Sequence, residues 1–265
     1  MEERVLVVKF GYKGKAYAGY AKQKHAPSVQ AELERALSTY FRREIDTVCA
    51  GRTDTGVHAR AQHASFELRD EDDFDAREPY RIKRALDALL PDDIRVSQLY
   101  LAQKDFSARF SALKRIYKYR ISTSIVHPLF TQDYVWDLAT ELNVDAMKEA
   151  SNYFIGEHDF KSFCKAVSAV DKPTHRFVES VSFSYEEAFS EEHLVIQVSG
   201  NAFLHSMVRT MVGSLVEVGL NKKNPSWIKE VLAAQDRQAA GQNAPAKGLC
   251  LDQVIYSKDA LKRII

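Results

Sequence analysis

The segment Gly51–Ala59 (GRTDTGVHA) places a carboxylate, a guanidinium and two glycines in one predicted loop between two strand-like runs. Its glycines suit a backbone that turns tightly or lies close to a large ligand. Asp54 is the side chain of this loop that could serve as a nucleophile or base, with Arg52 beside it. Most loop aspartates cap a turn instead, so the loop by itself leaves both interpretations open.

A second candidate is the predicted strand Lys114–Arg120 (KRIYKYR). Side chains alternate along a strand, so Arg115 and Tyr117 share one face while Lys118 lies on the other. Cations interleaved with aromatic rings suit a nucleic acid, because they offer phosphate contacts and stacking surfaces together. An edge strand protected by its charges would show the same pattern.

The segment just upstream favours the nucleic-acid interpretation, because Arg109 stands between Phe106 and Phe110. The whole chain is not basic, however: its formal net charge is +1 and its pI is about 7.7. A nucleic-acid site must therefore be a local basic patch that acidic surface elsewhere offsets.

A third candidate lies on a helix predicted over residues 203–218, where apolar residues recur at i, i+3 and i+4. Arg209 falls at the border of this apolar stripe. A half-buried guanidinium needs an anionic partner, since an unpaired buried charge costs several kcal/mol. Glu217 lies further round the polar side, so the partner is expected from another part of the fold. The alternative is an arginine that packs its stem and reaches water.

The elements that must position these residues form two similar series of strands and helices, with Ser28 and Asn143 as predicted helix N-caps. We predict an α+β protein made of two similar halves of antiparallel sheet packed with helices, with the active-site cleft between them. Residues 1–105 carry the Asp54 loop, and residues 106–265 carry the tyrosine strand and the arginine helix. The charged residues 69–76 are expected to form a solvated turn or linker.

Composition excludes several classes of protein. The three cysteines are scattered without a CxxC pair and indicate reduced thiols in a cytoplasmic protein. No signal peptide or membrane-spanning run is recognisable. His58 and His63 near Asp54 match no metal-ligand spacing, and no nucleotide-binding glycine loop is present. We therefore expect no metal and no cofactor, and a single carboxylate working among arginines and tyrosines.

With these residues in view, the sequence resembles the tRNA pseudouridine synthase A family. The Asp54 loop looks like the family signature, and further blocks follow in family order over nearly the whole chain. These blocks are SVQxxLxxAL from Ser28, FxARFSA from Phe106 with RxYxY from Arg115, GxHDFxSF from Gly156, GNAFLxxMVRxMVG from Gly200 and APAxGLxL from Ala244. One departure is Tyr20-Ala21, where the family usually has Trp-Gln, in a loop expected to face substrate or partner.

The resemblance implies isomerisation of uridine to pseudouridine in the tRNA anticodon stem-loop, at positions thirty-eight to forty, by a homodimer without metal or organic cofactor. Carried over by position, Asp54 becomes the nucleophile and Arg209 the cation paired with it. Tyr117 becomes the aromatic that stacks on the target base and the candidate to take the C5 proton, and Arg52 helps to hold that base out of the helix. Arg109 and the basic residues of the tyrosine strand would grip phosphates.

Three alternatives stay open. A related synthase could use the same aspartate on another RNA or another uridine. A catalytically silent tRNA-binding protein could keep the fold, although it would be expected to lack Asp54 or Tyr117. A metal-dependent nuclease would need carboxylates clustered near Asp54, and Glu67 and Asp70 are too loosely placed for that.

Overall fold

The computed structural model describes residues 3–72, 75, 77–165 and 173–265. In chain order the strands are β1 (Glu3–Tyr12), β2 (Val48–Cys49), β3 (His58–Glu67), β4 (Ile94–Gln103), β5 (Lys114–Ser122), β6 (Trp136–Asp137), β7 (Gly156–Asp159), β8 (His175–Ala188), β9 (Glu191–Gly200), β10 (Leu249–Ile255) and β11 (Lys262–Arg263). The helices are α1 (Val29–Phe41), α2 (Glu78–Leu89), α3 (Val144–Ser151), α4 (Met207–Gly219) and α5 (Trp227–Ala234). The predicted α+β class is confirmed.

The chain divides into two compact units, the first made of residues 1–114 and 251–265 and the second of residues 115–250. The predicted division, after residue 105, lies before the observed division after residue 114. The prediction also placed residues 251–265 in the second half, whereas the structure places them in the first unit. Those residues join the first unit because β10 pairs with β3 and β11 pairs with β4.

The first unit is a sheet with strand order β11-β4-β1-β3-β10, with β2 paired to β3. The pairs of β1 with β3 and β4 are antiparallel. Its core is fully buried and includes residues of β1, α1 and α2: Leu6, Val8, Phe10, Leu33, Leu37, Ile82 and Leu86. The Ser28 hydroxyl accepts a hydrogen bond from the Ala31 amide, which confirms the predicted N-cap of α1.

The second unit has strand order β5-β9-β8-β7, with β6 parallel to β5. The β8–β9 hairpin predicted from alternation is confirmed, with Phe183 opposite Ile196. Asn143 caps α3 through the Ala146 amide, as expected. In the predicted charged linker 69–76, a turn covers Asp70 and Glu71, while residues 73, 74 and 76 lie outside the described residues. No helix in the described part of the chain is long and apolar enough to cross a membrane.

Candidate active site

The Asp54 loop joins β2 to β3 and is held by β3 itself. The Gln62 side chain donates a hydrogen bond to the Gly51 carbonyl at 2.6 Å. The Ala50 amide donates to the His63 carbonyl at 2.8 Å, and the Val57 amide donates back to the Asp54 carbonyl at 3.1 Å. The loop is therefore a closed turn whose base is part of the sheet, which fixes the backbone that carries Asp54.

A second set of contacts holds the loop from the segment after β1. The Tyr20 amide donates to the Thr53 carbonyl at 3.1 Å, and the Thr53 hydroxyl lies 2.8 Å from the Tyr12 hydroxyl. Gly19 has φ +112°, and a Cβ there would lie 3.0 Å from the Thr53 carbonyl. This close approach requires glycine. Sequence reasoning assigned no role to Tyr12 or Gly19. The one signal in the sequence was that Gly19 is a glycine in the loop after the first strand.

Tyr20, where the family usually has tryptophan, does not face solvent. It is fully buried and its ring centroid lies 6.3 Å from that of Tyr12. Burial raises the pKa of its hydroxyl well above the ordinary value. The expectation that this loop faces substrate or partner is therefore wrong for the Tyr20 side chain, which is buried beside Tyr12 instead.

Asp54 is partly exposed and Arg52 is exposed. The Arg52 guanidinium forms no hydrogen bond or ion pair with another described residue. Burial raises the pKa of the Cys49 thiol to about 11, and Arg52 and Arg109 both act to lower it. Both guanidiniums therefore lie within electrostatic range of Cys49, so the structure gathers two predicted RNA-binding cations beside the Asp54 loop.

The aromatic residues on either side of Arg109 differ in exposure. Phe110 is 79% exposed, and the Arg109 guanidinium carbon lies 5.3 Å from its ring centroid, a cation–π contact. Phe106 is partly buried and packs against Tyr256, with ring centroids 5.2 Å apart. Phe110 and Arg109 thus present a stacking surface and a charge to solvent, whereas Phe106 contributes to the core that supports them.

Tyr117 lies on β5 opposite Val198 of β9 and is only 6% exposed. Its ring meets that of Phe203 edge to face, with centroids 5.3 Å apart. Glycine at position 200 leaves room for the Phe203 ring, because a Cβ there would lie 2.7 Å from the Phe177 carbonyl oxygen and 3.0 Å from that ring. Sequence reasoning did not single out Phe203, although it stands in the block GNAF, and the structure makes it the aromatic neighbour of Tyr117.

Three cations of β5, Arg115, Lys118 and Arg120, are engaged within the second unit. Arg115 is buried and donates a hydrogen bond to the Asn201 carbonyl at 2.6 Å. Lys118 and Arg120 lie 2.7 and 2.8 Å from the Glu186 carboxylate. Burial opposes ionisation of Glu186, yet the hydrogen bonds and charges of Lys118 and Arg120 bring its pKa below the ordinary value. Arg115 and Lys118 therefore have structural partners, and of the predicted RNA-binding cations it is Arg52 and Arg109 that are exposed.

Arg209 lies in the first turn of α4. This helix begins at Met207, later than predicted, because Ser206 has φ +64° and interrupts helical geometry before it. Every residue of α4 except Arg209 and Glu217 is buried. The Arg209 Nε donates to the Ala244 carbonyl at 2.7 Å, and the Ala244 amide donates to the Arg209 carbonyl at 3.2 Å. This reciprocal pair orients the guanidinium at the positive end of the helix dipole, where an anion is favoured.

The histidines near Asp54 have structural roles. The His58 Nδ1 accepts a hydrogen bond from the Gly14 amide at 3.1 Å. Burial, followed by the charge of Lys9, lowers the pKa of His63 to about 4, so His63 is neutral at pH 7. Among the described residues no group of three or more His, Cys, Asp or Glu side chains could hold a metal ion.

Comparison with known proteins identifies the family. The sequence model described as tRNA pseudouridine synthase matches residues 10–111 and 150–257. The chain is 41% identical over 256 residues to tRNA pseudouridine synthase A of Francisella tularensis subsp. novicida, covering 96% of this chain and 95% of that one. The chain belongs to the tRNA pseudouridine synthase family. Members of this family are enzymes that isomerise uridine to pseudouridine.

Other relatives agree with this family membership. The chain is 40% identical to tRNA pseudouridine synthase A of Francisella tularensis subsp. tularensis, over 96% of this chain and 95% of that one. For the protein of the same name from Francisella philomiragia the identity is 39%, over 95% and 94%. A solved Cbf5-Nop10-Gar1 complex matches with a TM-score of 0.36 and 12% identity, covering 83% of this chain and 54% of that one. That likeness carries no inference.

Proposed function

We propose that this synthase converts uridine to pseudouridine in the anticodon stem-loop of tRNA, at positions thirty-eight to forty, and that Asp54 is the nucleophile. The observation that supports it is the Asp54 loop, which is fixed by hydrogen bonds from Gln62 on one side and from Tyr20 on the other while Asp54 keeps partial exposure. A nucleophile held by a rigid backbone is positioned for attack before substrate binds.

In the proposed reaction the target uridine is flipped out of the RNA, which costs a few kcal/mol. Stacking on the Tyr117 ring recovers about 1–3 kcal/mol. Asp54 must be ionised to attack, and Arg209 supplies the positive charge that stabilises the carboxylate. Asp54 attacks either the ribose C1′ or C6 of the base, the C1′–N1 bond breaks, and the uracil rotates. C1′ then joins C5, and the bond to Asp54 breaks, which regenerates the free carboxylate. The proton lost from C5 is balanced by one gained at N1, so the product is an isomer of the substrate.

The test is to incubate the protein with unmodified tRNA and to map pseudouridine by carbodiimide-stop sequencing. We expect stops at positions thirty-eight to forty, at the same level with and without EDTA, because Asp54 chemistry needs no metal. Stops at other uridines would identify a related synthase with another target. Absence of any stop would leave a tRNA-binding protein without this activity, and a requirement for one divalent ion would contradict the proposed mechanism.

Replacing Tyr117 separates its two proposed roles. The Tyr117→Phe variant keeps the stacking ring and loses the hydroxyl that we propose removes the C5 proton. We expect its single-turnover rate to fall about 100-fold or more, with RNA binding nearly unchanged. Tyr117→Ala should in addition weaken binding, since a stacking contact is lost. The matched control is Tyr185→Phe on β8, which is 58% exposed. A Tyr117→Phe variant as fast as wild type would exclude the hydroxyl from proton transfer.

We further propose that the protein acts as a homodimer in the cytoplasm, as the family resemblance implies. Light scattering during size-exclusion chromatography should then give twice the chain mass of 30.1 kDa. The measurement is made with and without tRNA, because RNA bridging could mimic a dimer. A mass of one chain at micromolar concentration in both conditions would contradict this part of the proposal.

A further inference from the structure

A cavity of about 630 Å³ lies on one face of the sheet of the first unit. Lys9 of β1 is paired with Gln98 of β4 on one side and with His63 of β3 on the other. Residues directly opposite each other on adjacent strands project from the same face, so these three side chains form a row across the cavity floor. Pockets of roughly 300–1,000 Å³ accommodate small organic ligands.

The cavity carries excess positive charge. The Lys9 amino group donates to the Gln98 side chain at 3.2 Å. Its pKa is lowered first by burial and then by the charges of Arg60 and Arg263. Arg60 and Arg263 therefore each repel Lys9 at this site, and the Asp252 carboxylate lies 3.3 Å from Arg60. A bound anion would relieve the repulsion between the cations.

Asp252 adds a second requirement on the ligand. It lines the cavity from β10 and is 2% exposed. One carboxylate oxygen contacts Arg60, while Oδ2 is buried without a hydrogen-bond partner in the described structure. Leaving a buried acceptor unsatisfied costs about 1–3 kcal/mol, more for a charged group. The ligand should therefore bring an N–H or O–H donor to this oxygen as well as a negative charge to the cations.

Three rings, those of His63, Tyr100 and Tyr256, form part of the cavity wall, beside aliphatic and small polar residues. The neutral ring of His63 lies 6.2 Å from that of Tyr100 and 5.3 Å from that of Tyr256, measured between centroids. Tyr256 is fixed by the hydrogen bond from its hydroxyl to the Ala108 carbonyl at 2.8 Å. Flat, partly polar walls of this kind suit the ring of a nucleobase.

We infer that this cavity binds a nucleotide, with the phosphate held by Lys9 and Arg60 and a base or ribose donor held by Asp252. The nucleotide is either a residue of the substrate RNA, distinct from the target uridine, or a free ribonucleotide. If the nucleotide belongs to the substrate RNA, the inference rests on the proposed function. If it is a free ribonucleotide, the inference does not depend on that function.

The test is calorimetric titration with each ribonucleoside 5′-monophosphate and, separately, with inorganic phosphate. The Lys9→Gln/Arg60→Gln double variant should bind the preferred monophosphate at least tenfold more weakly than wild type. Asp252→Asn should lower the ratio of monophosphate affinity to phosphate affinity at least fivefold, because only the nucleotide uses that carboxylate as an acceptor. Arg84→Gln on the exposed face of α2 is the matched control, and circular dichroism confirms that each variant is folded.

The source of the nucleotide is decided by competition. An unmodified anticodon-arm hairpin, added to Asp54→Ala protein so that no turnover occurs, should displace the monophosphate if the site serves RNA. Failure to displace it would assign the site to a free nucleotide. No saturable binding of any monophosphate, binding unchanged by the double variant, or phosphate binding as tight as that of the nucleotides would each overturn the inference. Pseudouridine mapping is independent of these titrations, so a failure of the proposed function is recognised separately.

Discussion

Asp54→Ala is expected to lower the rate of pseudouridine formation at least about a thousandfold, as removal of a catalytic nucleophile does in other enzymes. The hydrogen bonds to the Gly51 and Thr53 carbonyls and to the Thr53 hydroxyl do not involve the substituted side chain, so they should hold the loop in the variant as well. Single-turnover kinetics with carbodiimide mapping measures the rate, and filter binding measures tRNA affinity.

The control for Asp54→Ala is Asp46→Ala, which removes an exposed carboxylate of the same unit. We expect the control to retain wild-type activity. Asp54→Asn should be as inactive as Asp54→Ala, since the amide keeps the shape of the side chain and loses the nucleophilic charge. Pseudouridine at wild-type rates in either Asp54 variant would rule out the nucleophile assignment.

Arg209→Leu should have the second-largest effect, a loss of activity of about 100-fold or more with tRNA affinity changed only a few fold. Removing one preorganised hydrogen-bond donor from an oxyanion hole costs about 2.7–4 kcal/mol, and we expect the loss of the Arg209 charge to be of the same order. Comparable losses in filter binding and in turnover would instead make Arg209 an RNA contact.

The variant has a structural consequence that must be separated from this effect. Arg209 donates to the Ala244 carbonyl, and loss of that bond should destabilise the fold by about 1–3 kcal/mol. Arg209→Lys restores the charge without the Nε donor, so partial recovery of activity in this variant indicates an electrostatic role. Thermal denaturation of both variants shows how much of the loss is structural, and Arg84→Leu on α2 serves as the matched surface control.

Local rules predicted the helix caps and the hairpin, because a cap or an alternating strand is decided within a few residues. Ser28 and Asn143 each need only the amide three residues later. The start of α4 was missed because the left-handed backbone of Ser206 leaves no mark in the apolar periodicity, which continues back to Leu204. A periodic pattern predicts that a helix exists more securely than where it begins.

The pairs between distant residues were beyond any local pattern. Lys118 meets Glu186 only because β5, β9 and β8 lie side by side in one register. Arg209 meets Ala244 because the segment before β10 returns along α4, so close that a Cβ on Gly213 would lie 1.9 Å from the Gln242 carbonyl. The sequence predicts which side chains are charged, and the fold selects which charges are neutralised within the protein.

By itself the sequence determined the family, the α+β class and the candidate residues Asp54, Tyr117 and Arg209, since these depend on residue type and on motifs that are continuous in the chain. Only the tertiary structure decided that Tyr20 is buried beside Tyr12, that Lys118 is paired while Arg52 is exposed, and that Asp252 lines a cavity together with Lys9 and Arg60. Burial and pairing depend on which strands and loops come together, and that is fixed by packing between residues far apart in the chain.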